Sequence, residues 1–233
     1  MRENIAVTLK AAHRLRAFGL GLLLLALPAC GLSDYEKLMG QAQEREARFR
    51  EEQKYLAEPV KVPKRKDKDD HEVAVADVFF RPPKGIQSVG QAVPGSSILW
   101  AFPRRAASGD FDHIEMAFGE DSKDFANEVL RNYQVVQGTL QQRVRQLQPP
   151  GRDAQTFDTW EFDGSQYGYS VNILRGSQPP TAVIYVYAPR RHSDLSKVID
   201  LSLESLAFGR HASKARKQFA QPTPWQLQGG RSS

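Results

Sequence analysis

Residues 58–72 cannot be folded into a core. Pro59 and Pro63 break the backbone pattern, and every residue from Lys64 to Asp70 is charged. No apolar burial offsets the ordering of such a run, so it reads as a solvated linker. Fully extended, a segment of that length reaches roughly 50 Å. It divides the chain into two parts with different physics: good helix formers before it, and apolar, β-branched stretches after it.

The part before the linker splits again. Residues 34–57 contain no proline and one glycine, and are rich in Glu, Arg, Gln and Ala, which favours a helix. Tyr35, Ala42, Phe49 and Leu56 recur every seven residues, and Leu38 widens the stripe. The column that should complete a heptad seam continues through Arg45 and Glu52, so a sustained coiled coil is not expected. Glu44 with Arg48 and Glu46 with Arg50 are favourable i, i+4 pairs. The expectation is an exposed helix with a narrow apolar stripe, through which it could pair with another helix.

Ahead of that helix, Arg2, Lys10, Arg14 and Arg16 stand against one acid, Glu3, and an apolar, Leu-rich run follows from Ala17 to Leu27. The run is too short for a span, which needs about 20 apolar residues, and its flanks are those of a signal peptide. It ends in Leu27-Pro28-Ala29-Cys30. This end resembles the lipobox of bacterial lipoproteins, with Leu three residues before Cys and a small residue just before it. Pro28 departs from the small or β-branched residue usual at its position. The resemblance implies cleavage before Cys30, a thioether-linked diacylglyceryl group on its sulfur and an N-acyl chain. More than one chain gives stable anchoring. Gly31, a residue other than Asp after the cysteine, implies the outer membrane, facing the periplasm, where the organism has two membranes. Cys30 is the single cysteine, so once acylated it leaves no thiol for a disulfide, a redox role or a nucleophile.

The formal charge of +5 belongs to the ends. Residues 1–29 carry four bases and one acid, and residues 210–233 carry five bases and no acid, which leaves 30–209 at −3. The basic balance is therefore no argument for nucleic acid. The tail, with Lys214, Arg216 and Lys217 clustered and Pro222, Pro224, Gly229 and Gly230 beyond, is expected to be disordered and weakly anion-seeking.

Strands are expected over 73–80, 97–102 and 111–118; in the last, Ile114, Met116 and Phe118 alternate with His113, Glu115 and Ala117. Asp121 can cap a helix over 121–133, with Phe125, Val129 and Tyr133 on one face. Residues 134–148 fit a helix or a strand about equally. A strand over 156–162 should turn at Asp163-Gly164 as a two-residue hairpin into Tyr167, Tyr169, Val171 and Ile173. Residues 181–188 are apolar on both faces, as in a covered central strand. A last helix starts at Ser193 or Asp194, buries Leu195, Val198, Ile199, Leu203 and Leu206, and stops at Gly209. This order predicts an α+β domain with a mostly antiparallel sheet covered by helices.

The Phe80-Arg81-Pro82-Pro83 entry, the Trp160–Leu174 hairpin, the Ala182–Tyr187 strand and the final helix ending Ser205-Leu206-Ala207-Phe208 resemble the PsbP-like and DcrB-like domains. That resemblance implies an α/β/α sandwich and an accessory or assembly role at a membrane. No position matches the metal-ligating histidines of some members. The expected organisation is a signal peptide (1–29), a lipid-anchored helical stalk (30–57), a charged linker (58–72), an α+β domain (73–209) and a basic tail (210–233).

No zinc-ligand spacing, phosphate loop, dinucleotide fingerprint or nucleophile elbow occurs; Gly164 to Gly168 has Gln166 where an elbow needs Ser. Asp110, Asp112, His113 and Glu115 form the densest polar cluster. In a regular strand the two aspartates face away from His113 and Glu115. His113 and Glu115 are the candidate metal ligands, with His192 a distant third. Trp160, Tyr167, Tyr169, Tyr185 and Tyr187, with Phe162, are the candidates to line a ligand groove, although such residues more often pack a core. The expected function is that of a non-catalytic envelope lipoprotein, a binding or assembly accessory. The alternative is an envelope hydrolase or metal-dependent enzyme using His113 and Glu115. No cofactor is expected. The expected partners are the membrane, through acylated Cys30, and an envelope protein or anionic polymer, with no nucleic acid.

Overall fold

The computed structural model describes residues 33–62, 65–66, 72–73, 77–93, 99–105, 109–119, 124, 139–164, 166–177, 180–188 and 194–220. Cys30, the signal segment, His71, His192 and nearly all of the helix expected over 121–133 lie outside them. The chain divides into two compact units, Met1–Glu52 and Gln53–Ser233.

Helix α1 covers 33–55, which includes every described residue of the first unit. Arg50 bonds Glu46 at 2.6 Å, as the spacing predicts, and Arg48 bonds Glu52 at 3.2 Å. Tyr35 and Leu38 of the apolar stripe are exposed. Among the described residues no helix is long and apolar enough to cross a membrane.

The second unit is α+β. Its strands are β1 (Arg65–Lys66), β2 (Glu72–Val73), β3 (Val78–Phe79), β4 (Gln91–Ala92), β5 (Leu99–Pro103), β6 (Phe111–Phe118), β7 (Thr139–Leu147), β8 (Gln155–Asp163), β9 (Gly168–Leu174), β10 (Thr181–Tyr187) and β11 (Ala207–Phe208). Helix α2 covers Leu195–Ser205 and α3 covers Gly209–Ala220. Seven strands form one open sheet in the order β4-β5-β6-β10-β9-β8-β7, antiparallel at every junction. Two meanders, β4 to β6 and β7 to β10, join where β10 lies against β6 with Val183 opposite Met116.

β10 holds the centre because its sequence has no polar face. All seven of its residues are buried, and β-branched and aromatic side chains suit a pleated surface covered on both sides. On one face Val183 and Tyr185 join Ile114, Met116, Phe118, Phe102 and Phe157 beneath Ile199, Leu203 and Leu206. On the other, Ala182, Ile184 and Val186 join Ala117, Phe162, Val171 and Ile173.

The structure corrects several expectations and decides one left open. The strand expected over 73–80 is not part of the large sheet: β3 pairs with β11, Phe79 opposite Ala207. Residues 134–148 resolve, where described, as strand β7, paired with β8 along its whole length. That pairing overrides the helical spacing of Leu140, Val144 and Leu147.

The β8–β9 turn is not a two-residue hairpin. Asp163 pairs with Gly168, so four residues intervene, and the Gly164 amide donates to the Tyr167 carbonyl at 2.8 Å. Gly164 is required there by close approach and not by a left-handed φ, since a Cβ would lie 2.8 Å from that same carbonyl oxygen.

The last helix does not run to Gly209. α2 ends at Ser205, Leu206 turns extended at φ −59° and ψ 121°, and the chain enters β11. Gly209, at φ 51°, then starts α3. The tail expected to be disordered from 210 is thus helical to Ala220, held by Ala212 and Phe219 against Phe79 and by an Arg216–Asp77 ion pair. Residues 221–233 lie outside those described.

The expected linker also starts too early. The Ala57 and Val60 amides donate to the Pro82 and Phe80 carbonyls at 2.8 Å, and Leu56 and Val60 are buried. Val60 supplies the apolar anchor that the charges after it lack.

Candidate functional site

The described residues of the second unit include three polar constellations near the sheet and its helix, and the densest sequence cluster forms one of them. β6 pairs with β10 in regular register up to His113 opposite Val186; the next pair is Phe111 with Tyr187, so Asp112 is the extra residue of a bulge. A bulge turns adjacent side chains toward one side and leaves a backbone group without a ladder partner. Both consequences appear. Asp112 Oδ2 lies 2.8 Å from His113 Nδ1, and Glu115 Oε1 lies 3.4 Å from His113 Nε2. Arg104 donates through Nε to the Phe111 carbonyl at 2.9 Å and reaches Asp112 at 3.3 Å. The expectation that Asp112 must face away from His113 holds only for a regular strand, and the bulge overturns it.

Burial of His113 disfavours its charged form, but hydrogen bonds and charge from Glu115 and Asp112 outweigh that, and its pKa is raised above the ordinary histidine value. Both ring nitrogens can donate at once only in the imidazolium. Among the described residues no group of three or more His, Cys, Asp or Glu side chains is arranged to hold a metal ion.

The second constellation went unseen in the sequence. Arg145 of β7, 5% exposed, reaches Glu161 of β8 and Asp200 of α2. Arg143 also bonds Glu161, at 2.8 Å. Burial lowers the Arg145 pKa and Glu161 opposes that shift, while Arg145 Nε has no hydrogen-bond partner. Beside it, the Tyr185 hydroxyl bonds Ser202 Oγ at 3.0 Å, and Ser202 donates to the Arg81 carbonyl at 2.8 Å. Burial pushes the Tyr185 pKa up, so the phenol stays neutral. Thr159 donates to Asn172 Oδ1 at 3.0 Å, and Asn172 returns bonds to Ser170 and to the Val183 carbonyl. The one sequence signal for this layer was the alternation of Arg143, Arg145 and Leu147.

The third is an open cleft of about 390 Å³ whose walls include Tyr55, Phe111 and Val198, with Lys54, Lys84 and Asp110 as its charged members. Lys54 donates to the Tyr55 hydroxyl at 3.0 Å, which raises the lysine pKa. The Tyr55 hydroxyl donates to Asp194 Oδ2 at 3.4 Å. Asp194 is the N-cap of α2, one of the two residues expected there, but its carboxylate makes no cap bond.

The five candidate groove aromatics are not brought together. Trp160 and Tyr169 lie on the face of Phe162 and Val171, Tyr185 and Tyr187 lie on the α2 face, and Tyr167 is exposed in the turn. None of them lines the cleft. Tyr185 and Tyr187 instead flank Phe111 edge-on, at ring separations of 6.0 and 6.4 Å.

No family model matches this chain, and no curated protein matches it.

Proposed function

We propose that this chain is a lipid-anchored cell-envelope protein whose α+β domain is a non-catalytic binding or assembly accessory. The carrying observation is Leu27-Pro28-Ala29-Cys30 behind a basic n-region and a short apolar run, with the sole cysteine at its end. Cys30 is the acylated first residue of the mature chain, and its acyl chains hold the protein at the membrane, the outer one where there are two. The element order of the domain, with its resemblance to PsbP-like and DcrB-like accessory domains, supports the functional half of the reading.

The alternative, an envelope hydrolase or metal-dependent enzyme, gains one observation: the bulge gathers Asp112, His113 and Glu115. It loses force because both ring nitrogens of His113 face carboxylates, which leaves neither to activate a nucleophile or ligate a metal. Intact-mass measurement of the protein purified from membranes tests the anchored reading. It should begin at Cys30 and carry diacylglyceryl mass. A different N-terminus, or an unmodified Cys30, rules the reading out.

A further inference from the structure

We propose that the outward face of α3 docks on anionic lipid headgroups and so seats the domain on a membrane surface. The location of that surface rests on the tethering reading above; the chemistry of the face does not.

α3 contains Arg210, His211, Lys214, Arg216 and Lys217 and no acidic residue. Its apolar face is already used, since Ala212 is buried and Ala215 and Phe219 pack against Phe79 and Ala207. Arg216 is occupied by Asp77 and the Val78 carbonyl. Arg210, Lys214 and Lys217 remain exposed, with no ion pair among the described residues. Spaced i, i+4 and i+7, they form one line about 10 Å long.

Helix stability accounts for Lys217, which lies in the last turn, but not for the rest of the pattern. Arg210 sits in the first turn, where the macrodipole repels a cation, and no acid offsets it. General solubility does not account for it either, because residues 30–209 sum to −3 while α3 carries four bases and no acid.

Two flexible lysine point charges beside a single guanidinium, spread along the helix with no aromatic stacking partner among them, suit a diffuse negative surface better than a base-reading or bidentate site. With its apolar stripe buried in the domain, α3 cannot insert as a free amphipathic helix does. Docking is therefore electrostatic. It strengthens roughly fivefold for each base near the surface, or roughly 100-fold for three, and fades as the Debye length shrinks.

The test uses the full-length chain carrying Cys30→Ser, which cannot be acylated. Partition onto phosphatidylcholine vesicles is compared with partition onto vesicles containing phosphatidylglycerol. The second protein adds Arg210→Gln, Lys214→Gln and Lys217→Gln. Both proteins share the apolar N-terminal run and its bases, so their difference reports α3 alone, and matching unfolding temperatures show that the fold is kept. The expected result is a roughly 100-fold weaker partition of the triple variant onto anionic vesicles at low salt, equal partition onto neutral vesicles, and convergence of the two proteins at high salt.

Equal binding of the two proteins to anionic vesicles overturns the proposal. So does a difference that persists at high salt. Loss of retention on an anionic glycan polymer, with vesicle binding unchanged, assigns the face to a polymer and also overturns it. Failure of tethering is read separately, in the mass of the native Cys30, and would leave the lipid preference of α3 standing while removing its location.

Discussion

On the α2 side of the sheet, Arg145 comes from β7, Glu161 from β8 and Asp200 from α2. On the opposite side, Asp112, His113 and Glu115 all come from β6, with Arg104, the residue after β5, closing the bulge. Both are charge clusters on one sheet, and they differ in what holds them. The first is assembled by the tertiary fold around a buried guanidinium that stays protonated at any accessible pH. The second is assembled by a local backbone irregularity around a half-buried imidazole whose pKa is raised above the ordinary histidine value by its carboxylate neighbours. Burial makes the first a fixture of stability. Partial exposure and a raised pKa make the second the place where solution conditions reach the fold.

The largest expected effect comes from breaking the buried cluster on its acidic side. Glu161→Ala leaves Arg145 buried with Asp200 alone, and loss of one partner from a buried pair costs about 3 kcal/mol or more. Arg145→Met should cost less. It removes the buried charge and keeps an apolar stem of similar length; Glu161 keeps its bond from Arg143, and Glu161 and Asp200, 22% and 38% exposed, can draw on water. Denaturant unfolding of the two variants gives the order directly. If Arg145→Met proves the more damaging, the guanidinium contributes net attraction and the desolvation argument is wrong.

A smaller effect is expected at Tyr185, which shares that layer but carries no charge. Tyr185→Phe removes the hydroxyl bond to Ser202 and keeps the ring contact with Phe111. Ser202 still donates to the Arg81 carbonyl, so the loss is that of one buried neutral hydrogen bond, about 1 kcal/mol. A loss as large as that of Glu161→Ala would mean that the tyrosine is coupled to the ionic cluster instead of packing beside it.

How far each region was legible follows from how local its causes are. β10 and β6 could be read because their apolar runs and alternation are written in consecutive residues. β7 could not be assigned, because a helix and a strand both fit its spacing and only the partner β8 decides. The buried cluster was invisible for the same reason: nothing in the sequence says that Arg145, Glu161 and Asp200 share a layer. The Asp112–His113–Glu115 cluster was seen as a group of residues but read with the wrong geometry, since one bulged residue reverses the facing of everything before it. Helix α3 was missed because its apolar face is only Ala212, Ala215 and Phe219, and its charges, read as a solvated tail, conceal a docked element.

The smallest expected effect is the pH dependence of the bulge cluster. Burial acts against the His113 imidazolium, and Glu115 and Asp112 favour it more strongly, so the folded pKa lies above the unfolded value of about 6.5. The folded state then binds the proton more tightly than the unfolded chain does. Its stabilising contribution is fully present below about pH 6.5 and is lost as pH rises through the folded value. With the side chains 21–36% exposed, the gain should stay below about 1 kcal/mol, as for other partly solvated pairs. His113→Asn keeps a polar side chain that does not titrate in this range. Denaturant unfolding of wild type and His113→Asn from pH 5.5 to 8.5 should therefore show their difference shrinking as pH rises. A constant difference, or one that grows, would mean that the carboxylates do not govern the ring. In Arg145→Met, by contrast, the difference from wild type should stay flat across that interval, because the guanidinium it removes does not lose its proton there. A pH-dependent difference in that variant would remove the distinction between the two faces.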